Sequence, residues 1–147
     1  MATIRKEFEL DARPEQVWAA MRDFGNVHRR VAPGFLTDCK LDGDARIVTF
    51  FNGLVARELL VDIDDGHRRI AYAITEGRMA HYNASMQIFA EGRGTRAVWI
   101  IDLLPNDMAG AIGAMAEQGV AAMKKTLQGG GGSVDVRSDA ADRILSQ

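Results

Sequence analysis

The 147 residues suffice for one domain and leave no room for two lobes closing on a cofactor. Hydrophobic residues at 47% and charged residues at 26% are ordinary globular values, which argues against a fibrous or broadly disordered chain. Eighteen basic against 20 acidic residues give a formal charge of -2, too weak and of the wrong sign to hold nucleic acid or an anionic membrane by its field. The one cysteine, Cys39, excludes an internal disulfide, and the three histidines show no paired zinc-binding spacing, so neither a structural metal nor a cofactor is expected. Residues 1–11 alternate polar and apolar where a signal peptide needs an unbroken apolar core. No apolar run approaches the roughly 18 residues that span a bilayer, and a reducing cytoplasm is the expected compartment.

Ile4, Phe8 and Leu10 share one parity between Thr3 and Asp11, the signature of a strand with one buried face. The period then changes. Pro14 suits the first turn of a helix, and Val17, Trp18, Met21 and Phe24 recur at helical spacing before Gly25. A short second helix is predicted from Asn26 to Val31, ended by Pro33-Gly34. Six strands follow, at 35–41, 46–51, 54–63, 69–76, 81–89 and 96–104. They are separated by Asp42-Gly43, Asn52-Gly53, Asp65-Gly66, Gly77 and Glu91-Gly92-Arg93-Gly94, each a good source of positive φ. Such tight punctuation leaves no space for parallel crossovers and predicts an antiparallel meander.

After Pro105, Asn106 or Asp107 is placed to cap a helix reaching Leu127, about 30 Å long at the helical rise. Met108, Ile112, Met115, Gly119 and Met123 fall on one face of it. Gly110, Gly113 and Gly119 each cost about 1 kcal/mol relative to alanine in an isolated helix, so this one depends on packing. Its Gly- and Met-rich inner face leaves space and adapts its shape. Residues 129–147, beginning with four glycines and Ser133, read as a flexible tail, native or added, outside a domain of residues 1–128.

One strand, two short helices, six strands and a long C-terminal helix resemble the helix-grip fold of the START-like (Bet v 1-like, SRPBCC) superfamily. The resemblance covers about residues 2–128. It is carried by Pro14-Glu15-Gln16-Val17-Trp18, Asp23-Phe24-Gly25, Pro33-Gly34, Asn52-Gly53, Arg57-Glu58, Asp62-Ile63-Asp64-Asp65, the segment from Arg69 to Tyr72, His81-Tyr82-Asn83-Ala84-Ser85, and Pro105. The branch it looks nearest to is the polyketide cyclase/dehydrase and lipid-transport group. What the resemblance implies is an α+β domain, a seven-stranded curved antiparallel sheet wrapped around the last helix, with a cavity between them for an apolar small molecule. Family members include carriers, receptors and enzymes, so the fold selects no reaction.

Glu58 is the most informative charged residue. It shares strand parity with Ala56 and Leu60, and in related receptors the matching strand points such an acid into the cavity. Buried without a cationic partner, its pKa would rise and suit general acid/base work. The alternative pairs it with an arginine of another strand or leaves it in solvent, because Val55, Leu59, Val61 and Ile63 on the opposite parity are also apolar. His81, Asn83 and Ser85 share one face of their strand, and Tyr82, Ala84, Met86 and Ile88 share the other. Simple burial turns the apolar set inward; the family resemblance puts the polar trio along the cavity, where His81 would exchange protons and Asn83 and Ser85 would orient a carbonyl or hydroxyl. His81 and Ser85 are about 13 Å apart along the strand, too far for direct proton transfer.

Thr37 and Cys39 share a parity and are candidate lining groups, with Cys39 read as a packed thiol. Tyr72 offers apolar area and a hydroxyl to a ligand. Asp102 is read as an outward carboxylate, or as a second internal acid beside Glu58. The bunched Asp62, Asp64 and Asp65 lack a calcium loop's terminal glutamate. The reading is therefore a binding domain for a hydrophobic or amphipathic ligand, with Thr37, Glu58, Tyr72, His81, Asn83, Ser85, Met115 and Gly119 at the site. Two alternatives stand: a cyclase, dehydratase or hydrolase moving protons through Glu58 or His81, and an interaction protein with a collapsed, ligand-free core. An apolar patch of Tyr82, Met86 and Ile88 on an exposed sheet face would support a homodimer.

Overall fold

The computed structural model describes residues 1–128; the glycine-rich tail expected at 129–147 lies outside the described residues. The chain begins with β1 (Ala2–Leu10), which buries Phe8 and Leu10 on the predicted parity. Helix α1 (Pro14–Met21) follows with Pro14 in its first turn, where a missing N–H costs nothing, and it turns Val17, Trp18 and Met21 inward. The second helical segment is split: a 3-10 turn at Phe24–Asn26 precedes the four-residue α2 (Val27–Arg30). The split falls at Asn26, whose φ of -119° lies off the α-helical range.

Six strands then run β2 (Leu36–Asp42), β3 (Ala45–Phe50), β4 (Val55–Asp64), β5 (Arg69–Ile74), β6 (His81–Glu91) and β7 (Gly94–Leu104). Every neighbouring pair is antiparallel, in the order β1-β7-β6-β5-β4-β3-β2. The meander thus proceeds in chain order, and β1 joins beside the last strand. Two-residue turns at Gly43-Asp44 and Gly92-Arg93 close the β2–β3 and β6–β7 hairpins, with the glycines at φ +61° and +57°. In the β4–β5 turn the left-handed residue is Arg68, at φ +51°, and not the expected Gly66. That turn is held from the other side: Asp64 accepts from the backbone N–H of His67 and bonds its ring, which shifts the reversal toward β5.

A 3-10 turn (Asn106–Met108) leads into α3 (Ala109–Leu127), which crosses the concave face of the sheet. Neither Asn106 nor Asp107 caps α3 through its side chain, because the 3-10 turn intervenes; the helix is fixed by packing and by a Lys6–Glu117 ion pair of 2.8 Å to β1. Gly119 permits the close approach: a Cβ there would meet the rings of Phe35 at 3.1 Å and Trp99 at 3.2 Å. On the other side of the sheet's end, α1 is pinned to the β4–β5 turn, where Asp65 accepts from Trp18 Nε1 at 2.9 Å and Arg22 Nε at 2.8 Å. The acidic cluster is thereby structural, and no group of metal-ligating side chains forms among the described residues. Nor is any described helix long and apolar enough to cross a membrane.

Candidate ligand cavity

Between the concave face and α3 lies a cavity of about 700 Å³, within the range of small-molecule sites. Its sheet wall carries Tyr72, Tyr82, Met86, Trp99 and Ile101; its helix wall carries Ile112, Met115, Ala116 and Met123. Met21 of α1, Val27 of α2 and Val31 just after it close one end. Leu54 from the β3–β4 turn, Glu76 to Met79 from the β5–β6 loop, and Met108 before α3 surround the other end. The space persists because bulky strand side chains face a helix whose inner positions are small or unbranched. Alanine and methionine at 116, 115 and 123 do not fill the arch of a curved sheet as a leucine-rich stripe would.

One polar centre interrupts this apolar wall. Arg46 Nε donates to Glu58 Oε1 at 2.7 Å across the β3–β4 pair, with the two side chains only 5% and 8% exposed. Arg46 Nη1 donates to the Phe24 carbonyl at 3.1 Å, and the guanidinium lies 4.1 Å from the Phe24 ring centre and 5.1 Å from that of Tyr72. These contacts replace the water the guanidinium gives up. The Tyr72 hydroxyl accepts from Trp99 Nε1 at 3.1 Å. Burial, reinforced by the nearby Glu58 charge, pushes the Tyr72 and Tyr82 hydroxyls well above the ordinary phenol value, so both remain O–H donors at neutral pH.

Three polar atoms of this centre keep open valences. Among the described residues no protein group bonds Arg46 Nη2, Glu58 Oε2 or the Tyr82 hydroxyl. None of them is sealed off either: the side-chain nitrogen or oxygen that is both sealed and unpartnered is His28 Nδ1. All three residues line the cavity.

The predicted site residues divide accordingly. Glu58, Tyr72 and Met115 line the cavity. Gly119 stands behind the lining, in the wall formed by Phe35 and Trp99. His81, Asn83 and Ser85 do not line it. On β6 the parity of Tyr82, Ala84, Met86 and Ile88 is buried, so the polar trio occupies the convex face, half-exposed, and burial of apolar area decides the orientation. There His81 Nε2 bonds Asn83 Oδ1, and Asn83 Nδ2 donates to Asp102 Oδ2 at 3.2 Å. Thr3 Oγ1 donates to the other Asp102 oxygen at 2.6 Å, which makes Asp102 an outward carboxylate. The expected dimer patch of Tyr82, Met86 and Ile88 is likewise spent inside the chain.

Thr37 also falls outside the cavity. An irregularity in the β2–β3 register between Leu36 and Asp38 leaves it exposed, its hydroxyl donating to the Thr49 carbonyl. Cys39 is half-buried against the core, and desolvation pushes its thiol up, as fits a packed side chain. The premise for acid/base work by Glu58, burial without a cationic partner, does not hold, because Arg46 is that partner. Sequence reasoning passed over Arg46 and left open which side of β6 Tyr82 occupies; burial of its parity turns it inward. The signal for Arg46 was present: it shares strand parity with Val48 and Phe50, and a lone arginine on an apolar parity is either buried with a partner or misassigned.

A curved antiparallel sheet gripping a long helix over a ligand-sized hollow defines the helix-grip class of α+β domain. The profile of the family described as "Polyketide cyclase / dehydrase and lipid transport" matches residues 1–129, and the chain belongs to that family. Among solved structures it is similar to XoxI from Bacillus cereus, with a TM-score of 0.77, 19% identity, and coverage of 86% of this chain and 96% of that one. The ginseng major latex-like protein 151 from Panax ginseng gives a TM-score of 0.70 at 15% identity, covering 86% and 97% of the respective chains. A START superfamily protein from Mycobacterium smegmatis gives 0.66 at 14% identity, covering 86% and 94%. At such identities these likenesses speak to the fold.

Proposed function

We propose that the domain binds a hydrophobic or amphipathic small molecule in the cavity between its sheet and α3. The observation that carries this reading is the cavity of about 700 Å³ itself, apolar over most of its wall and furnished with one buried polar centre. Burial of a ligand's apolar surface at roughly 25 cal/mol per Å² supplies the affinity, and the polar centre supplies orientation. A collapsed interaction module would have no use for a hollow that forgoes packing contacts along six strands and a helix.

Proton-transfer chemistry through His81 has no support from its position, since the ring lies on the convex face. Glu58 is in the right place but engaged by Arg46. Binding is therefore the reading to test first. Native mass spectrometry of freshly purified protein is expected to show a copurifying apolar compound, and a neutral apolar dye such as N-phenyl-1-naphthylamine is expected to brighten on binding. Ala116→Phe, placed on the helix wall, is expected to weaken the dye by about tenfold or more while the protein stays folded. Unchanged dye binding in that variant would place the dye elsewhere and refute the reading.

A further inference from the structure

The charges at the polar centre cancel, and what remains open is a matched set of hydrogen-bonding valences. Arg46 offers a free donor at Nη2, Glu58 a free acceptor at Oε2, and Tyr82 a hydroxyl able to do either. Tyr72, whose oxygen already accepts from Trp99, has its own O–H left to donate. Register sets these groups on one face, with Tyr82 two strands, roughly 10 Å between backbones, from Glu58. Arg46 pairs with Glu58, Glu58 with Ile74, and Tyr82 lies one residue from Asn83, which pairs with Ala73, so Arg46, Glu58, Ile74 and Tyr82 form one row across the concave face.

From this geometry we propose that the ligand carries an uncharged head group that both donates and accepts, a hydroxyl or a primary carboxamide, seated against Arg46, Glu58 and Tyr82 with its apolar part along Met115 and Ile112. The inference rests on the cavity being a binding site. Its physical basis is that a carboxylate head would bring a second negative charge beside Glu58, and an ammonium head a second positive charge beside Arg46, at a place where the two residues already neutralise each other away from water. A neutral donor-acceptor head fills the open valences and adds no net charge. The other charged residues of the lining do not alter this balance: Glu76 and Arg78 are exposed at the mouth, and Arg57 donates to Asp42 at 3.0 Å.

The test is a set of ligands with one tail and four heads, decanol, decanamide, decanoate and decylammonium, titrated at neutral pH and read by the fluorescence of Trp99, which lines the cavity. Decanol and decanamide are expected to bind about tenfold or more tightly than either ion. Glu58→Gln turns the centre cationic and is expected to raise decanoate affinity above its wild-type value. Tyr82→Phe, which disturbs no ion pair, is expected to weaken decanol roughly three- to tenfold and to weaken N-phenyl-1-naphthylamine less than that. Equal affinity for all four heads, or tightest binding of either ion, would overturn the inference while leaving the cavity as the binding site; so would binding of the dye with none of the four. Failure of the dye and of all four ligands would overturn the binding reading, and this inference with it.

Discussion

Strands β4 and β6 lie two apart in the same sheet and obey the alternation rule to different degrees. Along β6 every second residue from Tyr82 to Ile88 is buried, and the intervening His81, Asn83, Ser85 and Gln87 are half-exposed on the convex face. Along β4 the sorting is inverted at its centre: Glu58 is 6% exposed, whereas Val55 and Val61 stand 64% and 60% exposed. The difference comes from what each strand faces. β6 packs beneath α1 and the inner core, where apolar area must be covered. β4 runs along the outer part of the hollow, where an acid is tolerated because a neighbouring strand supplies its counter-charge. Polar residues on the two faces thus have opposite meanings. On the convex face they bond one another in the presence of water; on the concave face they form the polar feature of an otherwise apolar cavity.

The sharpest way to break this contrast is to remove one partner inside. Glu58→Ala leaves the Arg46 guanidinium buried without its carboxylate and is expected to cost about 3–5 kcal/mol in urea denaturation. Replacing both, Arg46→Met with Glu58→Leu, is expected to be neutral or to gain about 1–4 kcal/mol while abolishing discrimination among ligand heads. If the single variant costs nothing measurable, the pair is hydrated and the contrast between faces fails. Gly94→Ala probes the join of β7 to β1, where a Cβ would sit 2.6 Å from the Leu10 carbonyl oxygen; about 1–3 kcal/mol is expected from the same measurement.

Trp99→Phe removes the donor to Tyr72 and is expected to cost about 1 kcal/mol, together with the fluorescence response to ligand. The buried phenols give the contrast a pH dependence. Their folded pKa values are raised, so the protonated form is bound more tightly in the folded protein; this stability is fully present below the unfolded value of 10 and is lost as pH rises above it. Tyr72→Phe is expected to flatten the alkaline fall in a denaturation series, and an unaltered slope would show that Tyr72 does not contribute. The smallest effect belongs to the outer face: His81→Ala, which breaks a half-exposed hydrogen bond, is expected to cost about 0.5–1 kcal/mol and to leave dye binding unchanged. A large loss of dye binding would return His81 to the cavity's account.

The sequence by itself determined the order of elements, the antiparallel meander and the crossing helix, because these follow from local periods, turn glycines and proline positions that act within a few residues. Ile4, Phe8 and Leu10 on β1 and the methionine-glycine face of α3 were legible for that reason. Only the tertiary structure decided which parity of each strand faces the hollow and which residues meet there. The partnership of Arg46 with Glu58, the inward turn of Tyr82 and the outward chain of His81, Asn83 and Asp102 all depend on pairing across strands and on what covers each face. Those are properties of the assembled sheet, where the choice between water and a packed neighbour is made for all strands at once.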